Sequence, residues 1–225
     1  MWTPSQIQQS PQPKWKQLAF RRLQIWGGNM TARKVLVPQE MPPFVDKYPD
    51  IIGRIRATGA FDSSPHGAPN HIIMNEYCTG QGIMPHEDGP AYHPVVATLS
   101  LGSHAVFHYY RYSPHDEVGG AMGKAIDPVP VMSLLLEPRS LVITTSSMYT
   151  ALLHGIDGVE EDVFPAAAVD GSRPVPQIAN ADLLAGEFER TAVANGGVLK
   201  RGTRYSLTCR DVEKVASGTL FKKRV

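Results

Sequence analysis

The stretch RYSLTCR, residues 204–210, alternates polar and apolar side chains with a period of two. In an extended strand this sets Arg204, Ser206, Thr208 and Arg210 on one face and Tyr205, Leu207 and Cys209 on the other. Two arginines on the same strand face repel each other unless anions or carboxylates lie between them. That face suits a dicarboxylate.

Outward from this strand, the chain carries further β-branched or aromatic runs. They are HIIMNEYC (71–78), VVATLSL (95–101), HAVFHYYRY (104–112), VMSLLLE (131–137) and SLVITT (140–145). Turn signals such as LGSH and EPRS separate them. Short strands at this spacing predict an all-β sandwich or barrel. A short helix is expected after Pro49, with apolar positions at Ile51, Ile52 and Ile55 and Asp50 near its positive end, packed outside the strands. The fold class expected is therefore mainly β with flanking helices. Two segments interrupt the pattern. Residues 113–128 are Gly-rich and polar. Residues 157–197 form a long insertion, expected as loop, that admits a helix at 181–192.

MPHEDG (84–89) places His86 and Asp88 at i and i+2, so an extended backbone would present both to one cation. One more ligand completes a facial triad, an arrangement with open positions that suits non-haem Fe(II). Alone, H-x-D is more often a polar turn, and it needs support. NEY (75–77) puts Asn75 and Tyr77 on one strand face. LLHGI (152–156) sets His154 after an apolar approach and before a glycine.

In this order, Asn75-Glu-Tyr77, His86-Glu-Asp88, His154 and Arg204-Tyr-Ser206-Leu-Thr208-Cys-Arg210 resemble the AlkB-like family of Fe(II)/2-oxoglutarate dioxygenases. The likeness covers about residues 14–213. Through GIMPHEDGPAYHPVVATLSLGSH, SLLLEPRSL and RRLQIWGG it is nearest to the AlkB homolog 6 subfamily. The resemblance implies a double-stranded β-helix, or jelly roll. It implies His86, Asp88 and His154 as catalytic iron ligands and Arg204 as the partner of the distal carboxylate of 2-oxoglutarate, by a bidentate contact that lysine cannot copy. It also implies Asn75, Tyr77, Ser206 and Arg210 in the cosubstrate pocket. The cofactors implied are Fe(II), 2-oxoglutarate and O2. The implied chemistry decarboxylates 2-oxoglutarate to succinate, hydroxylates an N-linked methyl group and releases it as formaldehyde. A nucleobase in a duplex would have to be flipped out, or the substrate must be single-stranded.

The implied domain plan is a disordered 1–13, the dioxygenase domain at 14–213 and a basic tail at 214–225. In relatives, a lid precedes the jelly roll, and KWKQLAFRRLQIWGG occupies that place here. Relatives usually carry a further N-terminal segment before it. Met1 to Gln39 holds no acid but has Lys14, Lys16, Arg21, Arg22, Arg33 and Lys34. Arg21, Arg22 and Trp26 are accordingly expected to contact substrate, the cations on phosphates and the ring on bases, with Gly27-Gly28 as hinge. The competing expectation buries the tryptophans and leaves the cations solvated.

The net charge of +1 announces no polyanionic partner in bulk. Two cysteines, Cys78 and Cys209, fit a reducing compartment and are expected as small buried side chains. No apolar run is long enough to span a bilayer. A protein of cytoplasm and nucleus is expected, with 2-oxoglutarate and nucleic acid as partners and no membrane. Two alternatives stay open: the same chemistry on a protein substrate, and a binding module without turnover. The intact triad and Arg204 argue against the last. His66, His71, His93, His104, His108 and His115 have no matched role.

Overall fold

The computed structural model describes residues 7, 15–113, 124–165 and 177–217. Two antiparallel sheets dominate. The strands are β1 (Lys16–Leu18), β2 (Arg21–Trp26), β3 (Gly28–Met30), β4 (Leu36–Pro38), β5 (His71–Tyr77), β6 (Ile83–His86) and β7 (Tyr92–Gly102). They continue with β8 (Ala105–Tyr110), β9 (Met132–Leu136), β10 (Leu141–Thr145), β11 (Leu153–Ile156), β12 (Glu161–Phe164), β13 (Gly197–Lys200) and β14 (Arg204–Val212). The major sheet runs β1-β2-β5-β14-β7-β10 and the minor sheet β6-β11-β8-β9. Facing antiparallel sheets with these crossed connections form the jelly roll that the resemblance implied. Among the described residues, no helix is long and apolar enough to cross a membrane.

The register fixes which side chains share a face. β14 lies between β5 and β7, pairing Ser206 with Asn75 and with Ser100, and Thr208 with Ile73 and with Thr98. These residues point between the sheets. Their neighbours Tyr205, Leu207 and Cys209 point outward and join Ile72, Met74, Val95 and Ala97 in the large core. The helix Ile51–Arg56, as expected, covers that outer face with Ile51 and Ile55. Asp50 caps it, its side chain accepting from the Gly53 N–H at 2.9 Å. Trp26 and Val45 complete the cover.

The minor sheet is covered differently, and here the expectation of a loop over 157–197 is corrected. β12 and β13 pair as a ribbon, and the helix Glu187–Asn195 packs beside it. Phe164, Ile178, Leu184, Ala192 and Leu199 close over Val106 and Leu135 on the outside of the minor sheet. Widely spaced apolar residues build this cluster, so no local periodicity announced it. The helix starts later than expected because Gly186, extended, caps it, and the Glu137 carboxylate accepts from the Ala185 and Gly186 N–H groups at 2.8 and 2.7 Å. Residues 166–176 of the insertion and 114–123 of the Gly-rich segment lie outside the described residues.

The expected disordered 1–13 and basic tail 214–225 lie mostly outside the described residues. Within 1–13, the one described residue is Ile7, and it is fully buried in the large core. Of the expected basic tail, residues 214–217 are described. Val215 bridges to Leu36, and the Ala216 N–H donates to the Leu36 carbonyl at 2.8 Å.

Candidate active site

Between the sheets lies a cavity of about 230 Å³. Strands from both layers line it: alternate residues of β2, β5, β14 and β7 point inward from the major sheet, and β6, β8 and β11 add Ile83, Phe107 and Ile156 from the minor sheet. At one end, β6 ends on His86, Asp88 follows it, and β11 brings His154 directly opposite His86 in register. The ligand-capable atoms of these three lie within 4.8 Å of one another. The extended backbone at the end of β6 is what turns H-x-D into a convergent pair.

The three side chains are prepared for a cation. His86 Nδ1 donates to the Met84 carbonyl at 2.8 Å, which leaves Nε2 as the lone-pair end. His154 stacks on Phe107, ring centroids 5.4 Å apart and 18° from parallel. Burial lowers the pKa of both imidazoles, that of His154 to about 4, so both are neutral near pH 7. Burial alone would raise the Asp88 carboxyl. The Arg210 guanidinium, His154 and a hydrogen bond from Arg210 outweigh it and hold the carboxyl below its usual range. Asp88 Oδ1 is engaged by Arg210, while Oδ2 is buried without a hydrogen-bond partner. Two neutral imidazoles and a carboxylate with a free oxygen fit a divalent cation in a facial triad.

At the other end stands Arg204, 3% exposed. Its Nη2 donates to Ser100 Oγ at 2.8 Å, and its Cζ lies 5.7 Å from the Tyr77 ring centre. Nε and Nη1 are buried without partners. Burial pushes its pKa down to about 10, so it stays charged. A buried guanidinium with unused donors facing a cavity fits a carboxylate, which would recover much of the desolvation cost.

Asn75, Tyr77, Ser206, Thr208 and Arg210 line the wall between the two ends. Asn75 Oδ1 accepts from Arg21 Nε at 3.0 Å. Burial raises the Tyr77 phenol, which also shares a hydrogen bond with Ser206. Arg210 is committed to Asp88 and lies 4.9 Å from the Tyr92 ring centre. Its first partner here is thus a triad member.

The segment expected as a lid is corrected. Residues 16–18 and 21–26 are strands of the major sheet. Alternation along β2 then splits the three expected substrate contacts. Arg21 points into the cavity. Arg22 points outward, pairs with Glu76 and lies 4.1 Å over the Trp15 ring. Trp26 is 5% exposed in the core, its indole N–H donating to Gln24 Oε1 at 3.0 Å and its ring edge-on to Phe44. It has no face free to stack a base. Gly27 and Gly28 are no hinge in this structure. Both have positive φ, and an added Cβ would meet the Asn70 and Val37 carbonyl oxygens at 2.1 and 2.2 Å.

Sequence reasoning missed Phe107, Tyr92 and Glu87 as wall residues and Ser100 as the partner of Arg204. Only Ser100 had a signal, a polar residue in step with Thr98 in VVATLSL. Cys209 is buried as expected. Cys78 is exposed, because β5 ends at Tyr77.

Residues 2–210 match the 2OG-Fe(II) oxygenase superfamily. The chain is 38% identical over 216 residues to "Probable RNA/DNA demethylase ALKBH6" of Danio rerio, covering 96% of this chain and 81% of that protein. It is 28% identical over 137 residues to "Uncharacterized protein L905" of Acanthamoeba polyphaga mimivirus, covering 60% and 58%. Among solved structures, OsALKBH1 superposes with a TM-score of 0.46 at 16% identity, over 88% of this chain and 83% of that one.

Proposed function

The chain belongs to the 2OG-Fe(II) oxygenase superfamily, and from that premise we propose that it removes N-linked methyl groups from nucleobases by oxidation. The enzyme is an Fe(II)/2-oxoglutarate-dependent oxygenase. The observation that carries the assignment to this cavity is its two-ended wall, with His86, Asp88 and His154 at one end and the unsatisfied guanidinium of Arg204 at the other.

His86 Nε2, the free oxygen of Asp88 and His154 would hold the iron. Bound there with 2-oxoglutarate, the metal supplies oxidising power from O2, with succinate and carbon dioxide as coproducts. The protein's part is orientation. Arg204 would fix the distal carboxylate by two parallel hydrogen bonds, so that the keto-acid end is turned toward the triad. Asn75 and Tyr77 flank that path. Phe107 holds the His154 plane by stacking. Arg210 keeps Asp88 ionised and fixes which oxygen remains free. The apolar walls from Ile73, Ile83 and Ile156 exclude water, which strengthens each charged contact inside.

The nucleic-acid substrate is supported by the likeness to the Danio rerio protein. A nucleobase must reach this cavity single-stranded or flipped. The test is succinate release by the Fe(II)-loaded protein with methylated single-stranded oligonucleotides and, in parallel, with methylated peptides. Oligonucleotide-dependent succinate together with formaldehyde is the expected result. Peptide-dependent release with silent oligonucleotides would overturn the substrate class and leave the chemistry standing.

A further inference from the structure

Asn75 is a chemically ambiguous wall residue. Its amide has an acceptor end and a donor end on one plane, and a rotation of half a turn exchanges them. Only the donor end helps a bound dicarboxylate. The oxygen end would repel it. Something must decide which end faces the ligand.

We infer that Arg21 is a positioning residue that fixes the Asn75 amide with its donor end free for 2-oxoglutarate. This rests on the reading that the cavity takes 2-oxoglutarate. Leu23 pairs with Asn75 across β2 and β5, so Arg21, two residues earlier, shares their inward face. From there its Nε reaches Asn75 Oδ1 at 3.0 Å. A guanidinium has donors and no acceptor. Contact with it is possible only for the amide oxygen, whatever rotamer is drawn, and Nδ2 is left as the end an anion can use. Asn75 itself is 6% exposed. Ser206 and Leu23 are its cross-strand neighbours. Of Leu23 and Arg21 on β2, only Arg21 carries a polar side chain that can enforce the choice.

This role differs from a contact to substrate phosphate. Arg21 works across the sheet, on a residue opposite Ser206, and its effect should appear in cosubstrate affinity with no nucleic acid present. It also gives the inward arginine of the Arg21-Arg22 pair a task that Arg22, on the outer face with Glu76, cannot share.

The test is calorimetric titration of 2-oxoglutarate into full-length protein loaded with Mn(II), which binds cosubstrate without turnover. Parent, Arg21→Met, Arg21→Lys, Asn75→Ala and the Arg21→Met/Asn75→Ala double variant are compared, with thermal midpoints recorded for each. Arg21→Met should weaken 2-oxoglutarate binding about tenfold, the size of one well-placed hydrogen bond, at an unchanged thermal midpoint. Arg21→Lys, which still donates, should recover most of it. The double variant should bind no more weakly than Asn75→Ala, because Arg21 acts through Asn75. Additive losses, or Arg21→Met binding like the parent, would overturn the positioning role alone. A parent that fails to bind 2-oxoglutarate would overturn the cosubstrate reading and the positioning role with it.

Discussion

On the outer side of β14, Tyr205, Leu207 and Cys209 are at most 1% exposed and lie among Ile72, Met74 and Ala97. On the inner side, Arg204, Ser206, Thr208 and Arg210 are also buried, yet Arg204 and Arg210 each keep two side-chain nitrogens without partners. Burial is nearly equal on the two sides, but its energetic meaning is opposite. Outward, removing apolar surface from water stabilises the fold. Inward, desolvated charges destabilise it until ligands arrive. One strand thus holds both the core that keeps the sheet rigid and the groups that need a rigid sheet to stay aligned. If this division is correct, stability and ligand affinity should respond to different residues of the same strand.

The largest effect should come from the inner end. His86→Ala, Asp88→Ala or His154→Ala should each reduce turnover below detection and sharply weaken Fe(II) binding. Fe(II) titration and 2-oxoglutarate decarboxylation assays check this. Retained decarboxylation in one variant would remove that residue from the ligand set. Aerobically purified protein is expected to carry Zn, Ni or Co in competition, since intrinsic affinities do not favour iron.

Next in size is an outer-face break. Leu207→Ala empties part of a fully buried site and should cost about 2–5 kcal/mol of stability, read by urea unfolding. The protein that remains folded should keep the parent's affinity for 2-oxoglutarate. A matching loss of affinity would mean that the faces are not separable.

Arg204→Lys should do the reverse. The charge stays, the fork is lost, and the cost falls on cosubstrate binding at about 1.5–3 kcal/mol. That is on the order of ten- to a hundredfold in affinity, with little change in the unfolding midpoint. A variant that saturates with 2-oxoglutarate like the parent would remove the fork contact.

How far the sequence revealed this division depends on the strand. In β14 it was legible, because polar and apolar residues alternate and two arginines mark one side. The motif order also singled out His86, Asp88 and His154, though only the pairing of β6 with β11 brings the two imidazoles opposite each other. β2 concealed its faces. Arg21, Leu23 and Ile25 look inward and Arg22, Gln24 and Trp26 outward, so each face mixes a cation with apolar groups and no polar alternation appears. The segment then reads as an amphipathic cover in place of a strand, and Trp26 as a free ring. Ser100 lies 104 residues from Arg204 and meets it only through the β14–β7 register. The ribbon β12–β13 and its helix were hidden for a related reason. Their burial is supplied by Val106 and Leu135, far earlier in the chain.

The smallest effect expected is a chemical one at the two thiols, and it reports directly on how well the outer face is sealed. Cys209 is fully buried, its Sγ 3.6 Å from the Leu207 carbonyl, and burial pushes its pKa up to about 12. Cys78 is exposed just past the end of β5. The thiolate is the reactive form, so Cys209 is protected twice, by access and by protonation. A maleimide should therefore modify one thiol per native chain, at Cys78, and two in denaturant. Cys78→Ser should remove the native reaction with stability changed by no more than about 0.5 kcal/mol, as for other exposed sites. Mass spectrometry of the labelled peptides distinguishes the two. Native labelling of Cys209 at a rate near that of Cys78 would show that the outer face of β14 opens readily. The rigid backing for Arg204 and Asn75 would then be lost on the same timescale.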